Sequence, residues 1–313
     1  MRADLLHVVT AVANPIRWES RIRLYRQFED HMLASGVRLT TVECAYGERP
    51  FEVRPREGLN LVQVRAKSVV WNKESLINIG ISRLPADWKY VAWLDADVHF
   101  RRSHWAAETV HALQQYDVVQ PWSDAYDLGP HDEHIQHHKS FLCQWWNKQP
   151  VVPAGKGFWT FDGGPYCYPH SGYAWAATHQ AIDWLGGLFD LAAMGAGDHH
   201  MALALIGRVE ASVPGGVSTA YLAHLQRWQA RALHHINFNL GYVHGTLEHR
   251  FHGRKTDRKY VDRWGMILEH GFDPDADLKR NSFGVLELAS NKPRLAHDLD
   301  MYFRQRNEDL NSL

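Results

Sequence analysis

The sequence predicts an α/β fold with a mostly parallel central sheet and helices on both faces. Three observations carry that expectation. Short apolar runs alternate with amphipathic stretches through the first hundred residues. The first run is continuous and rich in Val, as in a parallel strand covered on both sides. Turn residues, Asn14-Pro15, Gly36, Gly47, Pro50 and Pro85, separate the segments. A βαβα order of this kind closes into a parallel sheet.

Residues 5–13 read as the first buried strand, stopped by Asn14-Pro15. Residues 16–35 carry Ile22, Tyr25, Phe28, Met32 and Leu33 at helical spacing, and Gly36 closes the helix. Residues 37–45 and 59–64 read as the second and third strands. Residues 71–84 suit a helix ended by Pro85, and residues 90–94 a short apolar strand. Asp95-Ala96-Asp97 follows that strand at once. Ligands of open parallel sheets sit beyond the carboxyl ends of the strands, which is where these two aspartates fall. Residues 103–116 read as a helix and 117–121 as a strand. Residues 122–172 turn irregular and rich in Trp, His, Gly and Pro, the composition of long loops with short elements, or a lid. Order returns with a strand at 172–177 and helices at 178–185 and 197–205. From residue 217 the pattern is helical or irregular, ending in a polar tail.

Composition bounds the function. The chain has 313 residues, and 45% hydrophobic content excludes wholesale disorder. Thirty-four Lys+Arg against 35 Asp+Glu leave a formal charge of −1. That excludes a generally basic nucleic-acid binder but not a local basic groove. Three widely spaced cysteines, Cys44, Cys143 and Cys167, form neither a disulfide scaffold nor a cysteine zinc site. They fit a reducing compartment. The first fifteen residues lack the core and cleavage site of a signal peptide. No window reaches the ~18–20 apolar residues of a membrane span. The expectation is a soluble, cytoplasmic protein. The unusual counts are 21 His and 13 Trp.

Several groups can carry chemistry. Two carboxylates one residue apart, Asp95 and Asp97, can hold Mg²⁺ or Mn²⁺ with positions left for substrate phosphates; the alternative is a solvated turn. Asn72 and Lys73 open the helix before them, and a lysine beside helix N–H groups favours an anion. Asp198 opens a later helix, as a base for an acceptor hydroxyl or as an N-cap. His131, His134, His137 and His138 have spacings that would share a helical face, but no cysteine stands near to complete a zinc site. Arg250, Arg254, Lys255, Arg258, Lys259 and Arg263 form a basic stretch. It is a solvated helix face, a loop that pairs with a diphosphate, or a groove for nucleic acid. Trp145, Trp146 and Trp159 are core residues or a stacking surface for sugars or bases.

The segments W-N-K-E-S-L-I-N-I-G and V-A-W-L-D-A-D-V-H-F, in that order, resemble the GT-A glycosyltransferases, in particular the β-1,4-galactosyltransferase-like and family 2 branch. Gly172-Tyr173-Ala174-Trp175-Ala176, then Gly186-Gly187, then Gly195-Ala196-Gly197-Asp198-His199-His200 follow in the family's order. Tyr242-Val243-His244-Gly245 and the basic stretch resemble its closing loop. The resemblance spans roughly residues 5–263. It implies a catalytic domain at 1–263 with an insertion at about 122–172, and a helical appendage at 264–313.

Carried over residue by residue, it implies Asp97 as direct metal ligand and Asp95 as the partner that contacts ribose or metal. His244 becomes the second metal ligand, with His252 as runner-up, and Asp198 the base. Asn14 and Pro15 match a nucleotide-binding edge in position only. Asn72, Lys73, Arg250, Arg254, Lys255 and Arg258 would then face the donor. One departure stands out: the family's acid before the base is here Gly197, which puts inversion in doubt. The implied activity is transfer of a sugar from a nucleotide-diphosphate donor, UDP by family preference, to a hydroxyl on a saccharide, a protein or a modified base in DNA. The competing expectations are a GT-A module that binds glycans or nucleotides without turnover, and a histidine-cluster zinc hydrolase.

Overall fold

The computed structural model describes residues 2–152 and 168–312; Trp159 and Cys167 lie outside the described residues. In chain order the first half holds β1 (Leu6–Ala13), α1 (Glu19–Ala34), β2 (Arg38–Tyr46), β3 (Leu59–Ala66), α2 (Lys73–Ile81), β4 (Tyr90–Leu94), β5 (Val98–Phe100), α3 (Trp105–Ala112), β6 (Val118–Gln120), β7 (Asp124–Leu128), β8 (His134–Lys139) and α4 (Phe141–Trp146). The second half holds β9 (Ala174–Thr178), α5 (His179–Leu185), α6 (Gly197–Leu205), α7 (Thr219–Arg231), β10 (Leu240–Tyr242), β11 (Thr246–His249), α8 (Arg263–Glu269), α9 (Pro274–Asp277), β12 (Leu278–Arg280), β13 (Leu286–Leu288) and α10 (Pro293–Gln305).

The main sheet has seven strands in the order β10-β6-β9-β4-β1-β2-β3. All of its pairings are parallel except those of β9, which runs against both β4 and β6. The fold is thus mixed α/β with a mostly parallel sheet. Strand direction has no signature in an apolar run buried on both faces, so the reversal of β9 is set by its partners.

Period-two alternation splits β1 between two cores. Leu6, Val8 and Val12 join Phe28, Met32, Trp105 and Trp122 on one face. Val9 joins Val42, Leu76, Ile77 and Trp175 on the other. Gly80 lets α2 lie directly on the sheet: a Cβ there would stand 2.5 Å from Val9 Cγ1 and 2.8 Å from Val42 Cγ2.

A second sheet, β5-β11-β7-β8, crosses the region expected to hold long loops with short elements. Residues 122–172 therefore contain two strands and a helix among the described residues. The His131–His138 cluster lies on and before a strand, not on a helix, so alternate rings face opposite ways. Beyond residue 217 the chain is helical as expected in α7 to α10, and four short strands, β10 to β13, stand between those helices. Residues 264–312 add a two-stranded sheet and three helices. Their Phe272, Leu288, Leu295 and Phe303 belong to the same core as α2. No helix among the described residues is long and apolar enough to cross a membrane.

Candidate functional site

A cavity of about 540 Å³ opens at the carboxyl ends of β1 and β4. The chain order turns there: β2 and β3 lie to one side of β1, and β4 to the other. Open α/β sheets bind ligands at such a switch point, where the connections diverge. Ala11–Ala13 and residues 95–97 come from the strand ends, Asn72, Lys73 and Glu74 from α2, and Asp198 and His199 from α6. His249 and His252, residues 255–256 and 258–263, and Phe303, Arg306 and Glu308 form the opposite wall.

At the seam between the walls, Asp97, His249 and His252 point one ligand atom each to a common centre, all within 4.8 Å of one another. Register explains the meeting. β11 runs antiparallel to β5 and sets His249 opposite Val98, next to Asp97. β11 runs parallel to β7 and sets His249 opposite Asp127. His249 donates from Nδ1 to Asp127 Oδ1 at 2.8 Å. That leaves its Nε2 facing Asp97 Oδ1 at 3.6 Å and His252 Nε2 at 3.3 Å. His252 Nε2 stands 3.0 Å from Asp97 Oδ2. Asp97 Oδ1 is buried with no hydrogen-bond partner. An orphaned carboxylate oxygen among converging imidazole nitrogens is a donor set that could hold a divalent cation, and a carboxylate behind a histidine is the usual support of such a set. Burial opposes ionisation of Asp97, but His249 and His252 beside it hold the carboxyl below the usual range.

Asp127 supports this group from a buried position. Its Oδ1 also accepts from Tyr173 Oη at 2.7 Å, and its Oδ2 from His138 Nε2 at 2.7 Å. Lys255 completes its partners. Burial works against its charge, and these donors reverse that, holding it well below the carboxylate range. Tyr173 ties Asp95, the first aspartate of the triplet, to this network. Its N–H donates to Asp95 Oδ2 at 3.2 Å, and its carbonyl accepts from Asp95 N at 2.8 Å. Its φ is +72°, a left-handed conformation that costs a non-glycine residue energy and clusters at functional sites.

Across the cavity, Lys73 Nζ lies 3.0 Å from Asp95 Oδ1, 3.9 Å from Asp198 Oδ2 and 3.8 Å from Glu74 Oε1. Burial lowers the affinity of Lys73 for its proton, but the three carboxylates more than offset this. Glu74 is 2% exposed and its Oε1 has no hydrogen-bond partner. Burial foremost, with Asp198 adding to it and Lys73 opposing, pushes its carboxyl up to about 7. Its carboxyl fills the space that a side chain at position 197 would occupy: a Cβ on Gly197 would stand 2.6 Å from Glu74 Cδ. An acid in the first turn of a helix reads as solvated, so the sequence carried no sign of this residue.

The structure brings together Asn72, Lys73, Asp95, Asp97, Asp198, Lys255 and Arg258. It moves others away. His244 is exposed, its carbonyl accepting from Arg102 Nη1 at 2.8 Å and its ring edge-on to Tyr242. Because β11 is antiparallel to β5, the histidine at its carboxyl end meets Asp97, and His244 lies at the wrong end. Asp95 stays outside the triad, its oxygens held by Lys73 and Tyr173. Asn14 is a buried turn-former bonded to Trp18 and Glu52, and the Pro15 carbonyl accepts from Arg49. Both turn away from the cavity, and Ala11–Ala13 line it instead. Arg250 pairs with Asp132, and Arg254 reaches Ser312. The basic stretch is therefore not a solvated helix face: Arg258 and Arg263 are each 6% exposed. Arg258 Nη2 donates to His252 Nε2 at 3.1 Å. Trp145 stacks near Phe238, and Trp146 donates to the Leu240 carbonyl; neither lines the cavity.

No family model and no curated protein matches the chain. Solved structures do. A mutant of Drosophila β1,4-galactosyltransferase 7, in complex with manganese, UDP-Gal and xylobiose, is 12% identical, with 92% of this chain and 97% of that chain covered and a TM-score of 0.36. TarS of S. aureus is 12% identical over 64% of this chain and 33% of its own, with a TM-score of 0.39. A nucleotide-diphospho-sugar transferase, so described provisionally, from Desulfovibrio desulfuricans G20 is 11% identical over 97% and 98%, with a TM-score of 0.35.

Proposed function

We propose that the protein is a metal-dependent glycosyltransferase of the GT-A type, moving a sugar from a nucleoside diphosphate to an acceptor hydroxyl. One observation carries this reading: the Asp97, His249 and His252 triad, the cations Lys73, Lys255 and Arg258, and the carboxylate of Asp198 all face one cavity at the switch point of the sheet. A volume of about 540 Å³ suits a ligand of nucleotide-sugar size.

Asp97, His249 and His252 would hold the cation. Two imidazole nitrogens with one carboxylate favour Mn²⁺ over Mg²⁺, which prefers oxygen ligands throughout. When bound, the cation supplies positive charge against the diphosphate. The chain's own residues do the rest. Ala11, Val12, Leu24 and Val70 offer apolar surface to the nucleoside. Arg258 and Lys255 bind the diphosphate oxygens, the guanidinium through paired N–H bonds. Asp198 orients the acceptor hydroxyl and takes its proton as the oxygen attacks the anomeric carbon. The bond from that carbon to the diphosphate breaks in the same displacement, with inversion. Lys73, 3.9 Å from Asp198 and 3.0 Å from Asp95, holds both carboxylates in place.

Calorimetry of UDP with and without Mn²⁺, and UDP release from a set of UDP-sugars, test this reading. Binding that requires Mn²⁺ and release that requires Asp198 are expected. Absence of both binding and release would sink it.

A further inference from the structure

We infer that Glu308 is the positioning residue for His252, so that residues 306–309 form part of the divalent-cation site; this rests on the metal-dependent reading above. The two histidines of the triad face the same requirement. Each must keep a lone pair on Nε2, which a carboxylate behind Nδ1 secures by fixing the proton there. Asp127 does this for His249. His252 turns its Nε2 to Asp97, His249 and the Arg258 guanidinium, which a bound cation would displace from that nitrogen, so its Nδ1 points away from the triad. Glu308 Oε2 faces that nitrogen at 3.6 Å, just beyond hydrogen-bond distance, and the buried nitrogen has no hydrogen-bond partner among the described residues.

Glu308 is built to stay there. Its side chain is fully buried. Arg21 holds it through two contacts, at 2.5 and 2.7 Å, and Arg306 through one at 2.6 Å. The backbone makes the same connection. Gly253, directly after His252, has φ +83°, and a Cβ there would stand 2.7 Å from the Asn307 carbonyl and 3.1 Å from Glu308 Cα. Glycine both reaches this conformation and leaves room for the tail. Asp309 then fastens the tail to the start of α1, accepting from Glu19 N at 3.0 Å and Ser20 N at 2.7 Å. The tail thus joins α1 to the histidine loop, and Glu308 is the side chain it delivers.

The test is Mn²⁺ titration of the full chain without nucleotide, followed by electron paramagnetic resonance. Glu308→Gln should weaken Mn²⁺ binding about 10–100-fold. Its spin-echo modulation from bound nitrogen should fall from two imidazoles toward one, and Glu308→Asp should recover part of the affinity. Asp277→Asn breaks a buried pair with Lys292 (2.6 Å) in the same C-terminal segment. It should lose stability and keep wild-type affinity, which separates loss of fold from loss of site. Equal affinity and equal nitrogen modulation in wild type and Glu308→Gln overturn the role of Glu308 alone. No Mn²⁺ binding by the wild type overturns both this inference and the metal-dependent reading.

Discussion

On one side of the cavity, α2 and the ends of β1 and β4 stand on apolar contacts, with Leu76, Ile77 and Val9 each at most 1% exposed. On the other, residues 249–263 and 302–308 stand on buried charge. Arg258, Arg263, Arg306, Glu308 and Asp97 compensate one another there, with His249 and His252 between them. Apolar contacts are indifferent to pH and salt. A buried ion pair holds only while both members are present, because either alone carries an uncompensated desolvation cost. The first wall is a platform. The second takes its shape from charge balance, and an anionic ligand with its cation enters that balance directly.

Variants can break this contrast. The largest effect is expected from Asp198→Asn on the platform side. It should lower the transfer rate about 10²–10⁴-fold while UDP binding by calorimetry stays near wild type. Asp97→Ala, at the seam, should weaken Mn²⁺ binding by more than about 100-fold, beyond the range typical of outer partners. The Mn²⁺ resonance signal reads it.

Glu74 is a buried acid in the platform wall, beside Lys73 and near Asp198. Its carboxyl rises from the ordinary 4.5 to about 7 on folding. The folded state therefore holds an extra proton between those values, and stability falls as pH rises through them. Glu74→Gln removes that loss. It should raise the unfolding temperature at pH 8 and change it little at pH 5, with a ceiling of about 3 kcal/mol at roughly 1.4 kcal/mol per unit. Gly80→Ala forces a methyl against Val9 and Val42, and should cost about 1–3 kcal/mol in denaturant unfolding at any pH. A strong pH dependence there would dissolve the contrast between the walls. Smallest of all, His244→Ala should leave Mn²⁺ affinity unchanged.

The platform wall was largely readable before folding. The strand expected at 90–94 is β4, and the helix expected at 197–205 is α6. Lys73, Asp95, Asp97 and Asp198 fall at element ends that periodicity locates. The charged wall was not readable. β10 to β13 are three or four residues long, too short for alternation to register. His249 owes its place to pairing with strands more than a hundred residues earlier, information that no local window holds. Arg258 and Glu308 break the rule that charge runs face water, and only their mutual burial explains why. Glu74 escaped for the opposite reason: its surroundings hide a position that helix chemistry marks as exposed.

Tyr173 bears on the order in which this site can assemble. Its left-handed backbone costs about 1–3 kcal/mol, which a lone β-strand cannot hold. It becomes tenable once β9 has docked against β4 and β7 has brought Asp127 to its hydroxyl. Both docked partners must come first. A partly folded chain can contain the whole first wall and still present Asp95 and Asp97 without their shared geometry. The proposed ligand recognition then belongs to the finished fold.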